Sequence, residues 1–375
     1  MTASERRAAA CTLRLLREGR GWSWSDLARA IKSAAGELAT TPVDRLTVPS
    51  LVRTIARWER EDRPTSPAER YQLLLAYVFA RRGENVRVGQ GSDFDQVMDL
   101  IVTWGGSAER VAEIRDLATR AATSGHGLLA FLPPGLEPLV SAVNGKGHLT
   151  MGGVNALDAL VADVNGQVGG APFARLHLAM APAVEISRRL MAAPRSEHLR
   201  QPLAQVTAGA FMVAARIAFE ARDDDTSLRL YQEAVRAAVD APAWQRTAMN
   251  TSRALVVLYS GRDVAAARAV ADEAVRTAGR SESPIMRARA HALQAEMAAR
   301  AGQSDHAFAA LRLAWRDVDG DCTDDPAGGR FGAGHLDGFE GVCNVHLGRG
   351  AEAEPHLVDA MAALCAVKRL LIEWR

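Results

Sequence analysis

Apolar residues recur at helical spacing from one end of the chain to the other, which predicts an all-α fold. The sharpest pattern is Leu51–Arg60, where Leu51, Ile55 and Trp58 are spaced four and then three apart and so share one buried stripe. Arg53, Arg57 and Arg60 point elsewhere on this short helix, and no acidic neighbour in sequence neutralises all three. Ahead of it, a helix over Glu5–Glu18 is predicted with Leu13 and Leu16 inward, ended by Gly19 and Gly21. A second opens at Ser23 or Ser25, either of which can cap it, and runs to about Ser33 with Leu27, Ala28 and Ile31 inside. Between that helix and Leu51 stand the 17 residues Lys32 to Val48, with Gly36, Pro42 and room for an extra helical turn at Ala34–Leu38. Ser66-Pro67-Ala68-Glu69 is a start signal of cap, first-turn proline and capping-box glutamate, and it opens a helix with Leu74, Leu75 and Val78 on its apolar side.

Residues 81–90 are polar and glycine-containing and are expected to be a linker, closing a first domain over 1–82. A helical middle region, 83–203, follows. Phe94, Val97 and Ile101 mark one of its helices, and Val111, Ile114 and Leu117 another, with Gly105-Gly106 between them. The three prolines of Leu128–Pro138 predict a turn or a short packed segment. A further helix is expected over His148–Gly166, stopped by Gly169-Gly170-Ala171-Pro172, and another over Phe173–Met191 with a break near Pro182.

Over 204–375 the pattern repeats. Each unit has a small residue, a turn, a second small residue, a packing residue and an alanine. These are Ala215, Arg222, Ser227, Tyr231 and Ala234, then Ala254, Gly261, Ala267, Ala271 and Ala274. Ala295, Gly302, Ala307, Leu311 and Ala314 follow, and then Gly341, Gly348, Ala353, Leu357 and Ala360. The closing alanines are 40, 40 and 46 residues apart. The final helix carries Met361, Leu364, Val367 and Leu371 on one apolar face with nothing after Arg375 to cover it, which predicts self-association or a chain shorter than its relatives.

Charge changes the picture at the N-terminus. Residues 1–82 hold 15 Lys/Arg against 9 Asp/Glu, a net of +6, and the remainder holds 30 against 35 within an overall net charge of +1. A basic head on an acidic body suits a protein whose head alone meets a polyanion. Only Lys32, Lys146 and Lys368 of the 45 basic residues are lysines. The four cysteines, Cys11, Cys322, Cys343 and Cys365, have no zinc-ligand or disulfide-framework spacing. The N-terminus has no apolar signal core, and no run approaches the ~18 consecutive apolar residues of a spanning segment. The expectation is a cytoplasmic protein with reduced thiols.

The head resembles the helix-turn-helix domain of the XRE (Cro/repressor-like) family over residues 5–80. The resemblance lies in Leu13-x-x-Leu16-Arg17, Gly21-Trp22-Ser23, Leu27-Ala28, Ile55-x-x-Trp58-Glu59-Arg60, and Pro64 followed by Ser66-Pro67. It implies that Val52, Arg53, Thr54 and Arg57 meet base edges, that Ser25, Ser50 and Arg60 meet phosphates, and that Glu59 pairs with a nearby basic residue. Two features depart from the family: the long segment before the third helix, and Trp24 where glutamine is usual, whose indole N–H would have to serve a phosphate.

The repeats resemble tetratricopeptide repeats, helix pairs stacked into an α-solenoid. That resemblance implies a groove lined by Met212, Arg216, Phe219, Thr251, Leu255, Leu258, Arg289, Glu296, His335 and Val342, mainly apolar and suited to a short peptide or partner helix.

Other chemistry is weak. Gly125–Ala130 fits a dinucleotide fingerprint without its strand, and Asn144–Gly147 lacks the rest of a phosphate loop. Asp317-Val-Asp319-Gly-Asp321 has Cys322 where a calcium loop needs glycine, and reads as an acidic interhelical loop. His335, Asp337 and Glu340 make only a weak metal candidate, and no catalytic constellation stands out. The expected function is non-enzymatic and cofactor-free. It is a DNA-binding transcription regulator acting as a homodimer on double-stranded DNA, with repeats that sense a peptide or protein effector and no membrane partner. The alternative is a protein–protein scaffold with a degenerate head.

Overall fold

The computed structural model describes residues 2–40, 43–83, 85–124, 128, 131–133, 135–168, 170–192, 196–261 and 263–373, with side chains at all of these except 3, 124 and 364–373. The fold is all-α. The described residues form seventeen α-helices and one two-residue hairpin, in which Arg81 faces Val86 and Arg82 faces Asn85. Two compact units divide the chain: Met1–Leu199 with Val213–Thr226, and Arg200–Met212 with Ser227–Arg375.

The first unit holds α1 (Ala3–Gly19), α2 (Trp24–Glu37), α3 (Val48–Trp58), α4 (Glu69–Ala80), α5 (Asp93–Thr103) and α6 (Ala108–Ser124). It continues with α7 (Glu137–Val143), α8 (Met151–Gln167) and α9 (Phe173–Ala192). Its centre is α4, in which every residue from Gln72 to Ala80 is buried. A helix that is apolar all round belongs inside a core, and α2, α5, α6 and α9 all pack on it. The expectation of one apolar side, from Leu74, Leu75 and Val78, was too narrow. Ser66 does not cap this helix either: Ala68 holds the cap position with no side-chain bond. The Pro67 carbonyl instead accepts a 2.8 Å bond from the Gln72 side-chain amide, and the Tyr77 hydroxyl, also inside α4, donates to Glu37 Oε2 at 2.6 Å.

The division expected at residue 82 is not a break in packing. One apolar cluster runs from Ala9 and Leu13 through Leu51, Leu74 and Phe94 to Leu178. Arg20 stitches the junction. Its guanidinium donates to the Val78, Phe79 and Arg81 carbonyls at 3.1, 2.8 and 2.7 Å and to Asp93 Oδ2 at 2.7 Å. It also stacks over Trp22 and Phe79, at 5.0 and 4.6 Å from the ring centres. Residues 81–90, expected as a linker, carry the short hairpin and lead directly into α5. In α9 no break occurs at Pro182; the helix runs on through it.

Helix α10 (Glu197–Glu220) supplies residues to both units. It is long and apolar enough to cross a membrane, which the absence of an uninterrupted apolar run had not suggested; 61% of its most apolar stretch is buried within the protein, as in a core helix.

The second unit is built of α11 (Asp224–Ala237, from Ser227 onward), α12 (Ala243–Gly261), α13 (Val264–Ala278), α14 (Pro284–Arg300), α15 (Ser304–Val318), α16 (Ala333–His346) and α17 (Gly350–Glu373). Helices α12 and α13, α14 and α15, and α16 and α17 pack as successive pairs. The small residues of the repeat pattern lie inside this packing. Ala254, Ala267, Ala271, Ala274, Ala295, Ala307 and Ala314 are fully buried. At Gly341 a Cβ would stand 2.7 Å from the Leu357 side chain, so only glycine admits α17 this close. Gly302 and Gly348 take left-handed φ of 71° and 74° in the turns. Of the segment expected as an acidic interhelical loop, Asp317 and Val318 belong to the last turn of α15, where Asp317 pairs with Arg287 at 3.3 Å, and only Asp319 onward is loop. Its Asp325 accepts from Ser283 Oγ at 2.6 Å and from the Ile285 amide at 2.9 Å, next to the start of α14.

Some sequence expectations lie outside the described residues: Pro42, Gly169, five residues of the Gly125–Ala130 pattern, and the side chains of Leu364, Val367 and Leu371. Met361, the described member of the last helix's apolar face, is 68% exposed.

Candidate nucleic-acid interface

Helix α3 begins at Val48, three residues earlier than its sequence pattern implied. Thr47 caps it, the Thr47 hydroxyl accepting from the Ser50 amide, and Pro49 fits the first turn, where a missing N–H costs nothing. Leu51, Ile55 and Trp58 are buried as expected, and Trp58 meets Tyr71 edge-on at 5.0 Å. The opposite face holds Arg53 and Arg57, both exposed. Each is steadied by a hydroxyl one turn back: Arg53 Nη2 donates to Ser50 Oγ at 3.0 Å, and Arg57 Nη2 to Thr54 Oγ1 at 3.0 Å. Among the described residues neither arginine has a carboxylate within 4.0 Å, whereas Arg60 pairs with Asp62 at 3.2 Å. Arg60 is therefore a partly neutralised contact, and the free positive charge of α3 rests on Arg53 and Arg57. Val52 is half-buried against the core and less available than its place in the pattern implied. Ser25 and Ser50 are half-buried on the first turns of α2 and α3.

A buried ion pair fixes this helix from behind. Glu59, 2% exposed at the C-terminus of α3, accepts from Arg17 of α1 in fork geometry, Nε at 3.0 Å and Nη2 at 2.8 Å. The same carboxylate accepts from Trp24 Nε1 at 2.8 Å, and Arg17 Nη1 donates to the Trp22 carbonyl at 2.7 Å. One carboxylate thus ties the end of α3 to α1 and to the start of α2. The expectation that Glu59 pairs with a basic residue holds. The phosphate role for the Trp24 N–H does not: Glu59 already takes that proton, and Trp24 offers its ring, 43% exposed, instead. An open groove of about 830 Å³ lies in front, lined by Arg14, Trp24, Ser50, Arg53, Thr54 and Arg57 among others.

The start of α2 is set by Ser23 and not Ser25. Ser23 and Asp26 form a reciprocal capping box, and hydrogen bonds from Ser23 and Arg29 hold the exposed Asp26 carboxyl down at about 2.

The long segment before α3 resolves into helix and a packed connector. Helix α2 absorbs the extra turn and runs to Glu37, and residues 38–40 and 43–47 are the described part of the connector. Leu38 and Val43 plug into the core, and Lys32 Nζ donates back to the Asp44 and Leu46 carbonyls at 3.1 and 2.6 Å. The connector leaves α2 through Ala39, whose φ of 47° is left-handed although it carries a Cβ. Ala39→Gly is expected to raise the stability of the first unit by about 1 kcal/mol, visible as a higher denaturation midpoint with unchanged slope.

The ten proposed groove positions scatter. Arg216 and Phe219 belong to the first unit and the other eight to the second. Thr251 and Leu258 are buried, the Thr251 hydroxyl bonding back to the Thr247 carbonyl at 2.9 Å, so neither lines an open surface. Glu296 is buried too, held by Arg300 at 2.7 Å with the Tyr259 hydroxyl 3.4 Å away. Alanine-rich helices pack closely enough to cover positions that a looser array would expose. Arg289 donates to Ser252 at 2.9 Å, and Arg216 pairs with Glu220 at 3.3 Å. Met212, Leu255 and Val342 are half-buried, and the exposed His335 stacks on Phe331 at 5.5 Å. The histidine that Asp337 and Glu340 share is His356 and not His335, at 3.2 and 3.6 Å, and Glu340 also accepts from Trp315 at 2.6 Å. Among the described residues no group of three His, Cys, Asp or Glu side chains is placed to hold a metal ion. Burial pushes the Cys343 thiol up to about 12, so it is inert as a nucleophile.

No protein-family model, curated protein or solved structure matches the chain.

Proposed function

We propose that the protein is a sequence-specific DNA-binding regulator in which α2 and α3 act as a helix-turn-helix and α3 reads the major groove. The observation that carries this reading is the two-sided character of α3. Leu51, Ile55 and Trp58 are locked into the core while Arg53 and Arg57 stand exposed with only hydroxyl partners. Guanidinium groups so held match guanine O6 and N7 in bidentate fashion, at about 1–3 kcal/mol of discrimination for each pair. In this reading Thr54, between them, meets a neighbouring base, and Ser25, Ser50 and Arg60 meet phosphates, which set register without reading sequence. The net charge of +6 over residues 1–82 favours the encounter with DNA.

In the same reading the paired helices of the second unit act as tetratricopeptide-like repeats that take a peptide or protein effector. Two copies of the chain would set their α3 helices about 34 Å apart on adjacent major grooves. An effector that favours one dimer arrangement then shifts the DNA-competent population.

The test is genomic footprinting of the wild type and of Arg53→Ala/Arg57→Ala, followed by titration on the enriched site. Discrete sites are expected, with affinity falling at least 100-fold in the double variant while the helical content is unchanged. Salt-sensitive binding without sequence preference, or no enrichment at all, would sink the reading and favour a scaffold with a non-reading head.

A further inference from the structure

We infer that the turn between α10 and α11 positions α3, through a polar junction with the connector, so that the aim of the arginine face follows the seating of that turn. The DNA-binding consequence rests on the function proposed above; the mechanical part does not.

The junction has contacts on both sides of the connector. Arg45 Nη1, in the connector, donates to Thr226 Oγ1 at 3.1 Å, and Arg70 of α4 donates to the Ala221 carbonyl. From α9, His177 Nε2 lies 2.9 Å from the Leu38 carbonyl, which can only accept, so Nε2 carries the proton. Burial holds the His177 imidazole below its ordinary value and therefore neutral. Lys32 grips the same connector from α2. The residues that decide where α3 begins are thus held by α2, by α9 and by the turn, and the chain passes into the second unit directly after Thr226.

The junction is also held under strain. Among the described residues the only non-glycine left-handed positions are Ala39, in the connector, and Arg222, in the turn, with φ of 47° and 60°. Backbone strain of this kind persists where surrounding contacts over-determine it, and it collects at switching segments. Three buried carboxylate oxygens of the junction have no hydrogen-bond partner, Asp44 Oδ1 in the connector, Asp223 Oδ2 in the turn and Asp224 Oδ1 at the start of α11. Asp223 is 4% exposed, and its other oxygen accepts from the Thr226 amide at 3.3 Å. Burial raises the Asp44 carboxyl, and the Asp223 charge adds to that rise while Arg45 and Lys32 oppose it. Like charges across the junction weaken it, and the Arg45–Thr226 bond closes it. A contact so balanced is a coupling element more than a fixed brace.

Hydrogen–deuterium exchange on the full chain tests this. Arg45→Met and Thr226→Val are each expected to speed exchange of the 47–58 amides about 5–10-fold, with the double variant no faster than the single ones. Asp223→Asn keeps the oxygen that accepts from Thr226, removes the repulsion, and is expected to slow the same amides several-fold. Amides of α5 and α6 should be unchanged in all three. On an enriched DNA site, Arg45→Met and Thr226→Val should weaken specific binding about 5–10-fold and leave non-specific binding unaltered. Unchanged exchange over 47–58, or a uniform rise reaching α5 and α6, would overturn the inference, the latter by showing a merely stabilising role. Local changes in exchange with no DNA site enriched would uphold the junction and fail the DNA-binding reading alone.

Discussion

Glu59→Ala is expected to destabilise the first unit by about 3–5 kcal/mol, the cost of leaving a buried charge without its partner. The Arg17 side chain is 9% exposed and that of Glu59 fully buried, so water cannot replace what is removed. Three hydrogen bonds are lost at once, those from Arg17 Nε, Arg17 Nη2 and Trp24 Nε1, and Arg17 keeps only the exposed Glu18 carboxylate, 3.2 Å from Nη2, as an ion-pair partner. Guanidinium denaturation followed by tryptophan fluorescence reads the loss directly, since Trp24 is in the network and Trp58 one residue away. Glu59→Gln keeps one acceptor oxygen and should cost less. The double variant Arg17→Met/Glu59→Leu should cost less than Glu59→Ala, because an apolar pair of similar volume leaves no orphan charge. If Glu59→Ala shifts the midpoint by less than the equivalent of 1 kcal/mol, the carboxylate is not what holds α1, α2 and α3 together.

Arg20→Ala should have an effect of similar size, about 3–5 kcal/mol, for a different reason. Arg20 donates to three carbonyls at and just beyond the C-terminal end of α4, where helix carbonyls run out of amide partners, although Val78 also accepts from the Arg81 amide. Its remaining bond reaches Asp93 of α5. Burial pushes the guanidinium down from its ordinary value and Asp93 draws it back up, so the group stays charged. Arg20→Lys is expected to recover less than half of the loss, since one ammonium cannot reproduce a fork that serves four acceptors or stack on Trp22 and Phe79. The discriminating readout is cooperativity. With Arg20 in place, residues 1–82 and the helices after them share one core and should unfold in one transition; in Arg20→Ala, amides of α1 should exchange ahead of those of α5. Simultaneous loss of both would mean that the apolar contacts suffice to join them.

Much of the fold was legible in the chain because helical periodicity is a local property. The stripe of Leu51, Ile55 and Trp58, the buried Phe94, Val97 and Ile101, and the alanines of the helix pairs were all read from spacing. The helix ends were less so. Ser23 caps α2 where Ser25 was an equal candidate, Thr47 caps α3 ahead of the expected stripe, and Ala68 stands where Ser66 was expected to cap α4, because a cap depends on the backbone dihedrals that its neighbours impose. The candidate interface was half legible. Arg53 and Arg57 follow from the face opposite the stripe. The pairing of Arg60 with Asp62 joins residues two apart and so is local as well.

By itself, then, the sequence determined the all-α class, the helix pairs and which side of α3 enters the core. Each of these depends on residues within a turn or two of one another, where the 3.6-residue period sets the geometry. Only the tertiary structure decided that α4 is buried on every side, that Glu59 takes the Trp24 proton, that no gap in packing follows residue 82, and that the connector to α3 is gripped from α9 and from the α10–α11 turn. Those contacts join positions 35 to 181 residues apart. No local pattern encodes them, because burial, charge pairing and the removal of water depend on which distant side chains share the same few ångströms.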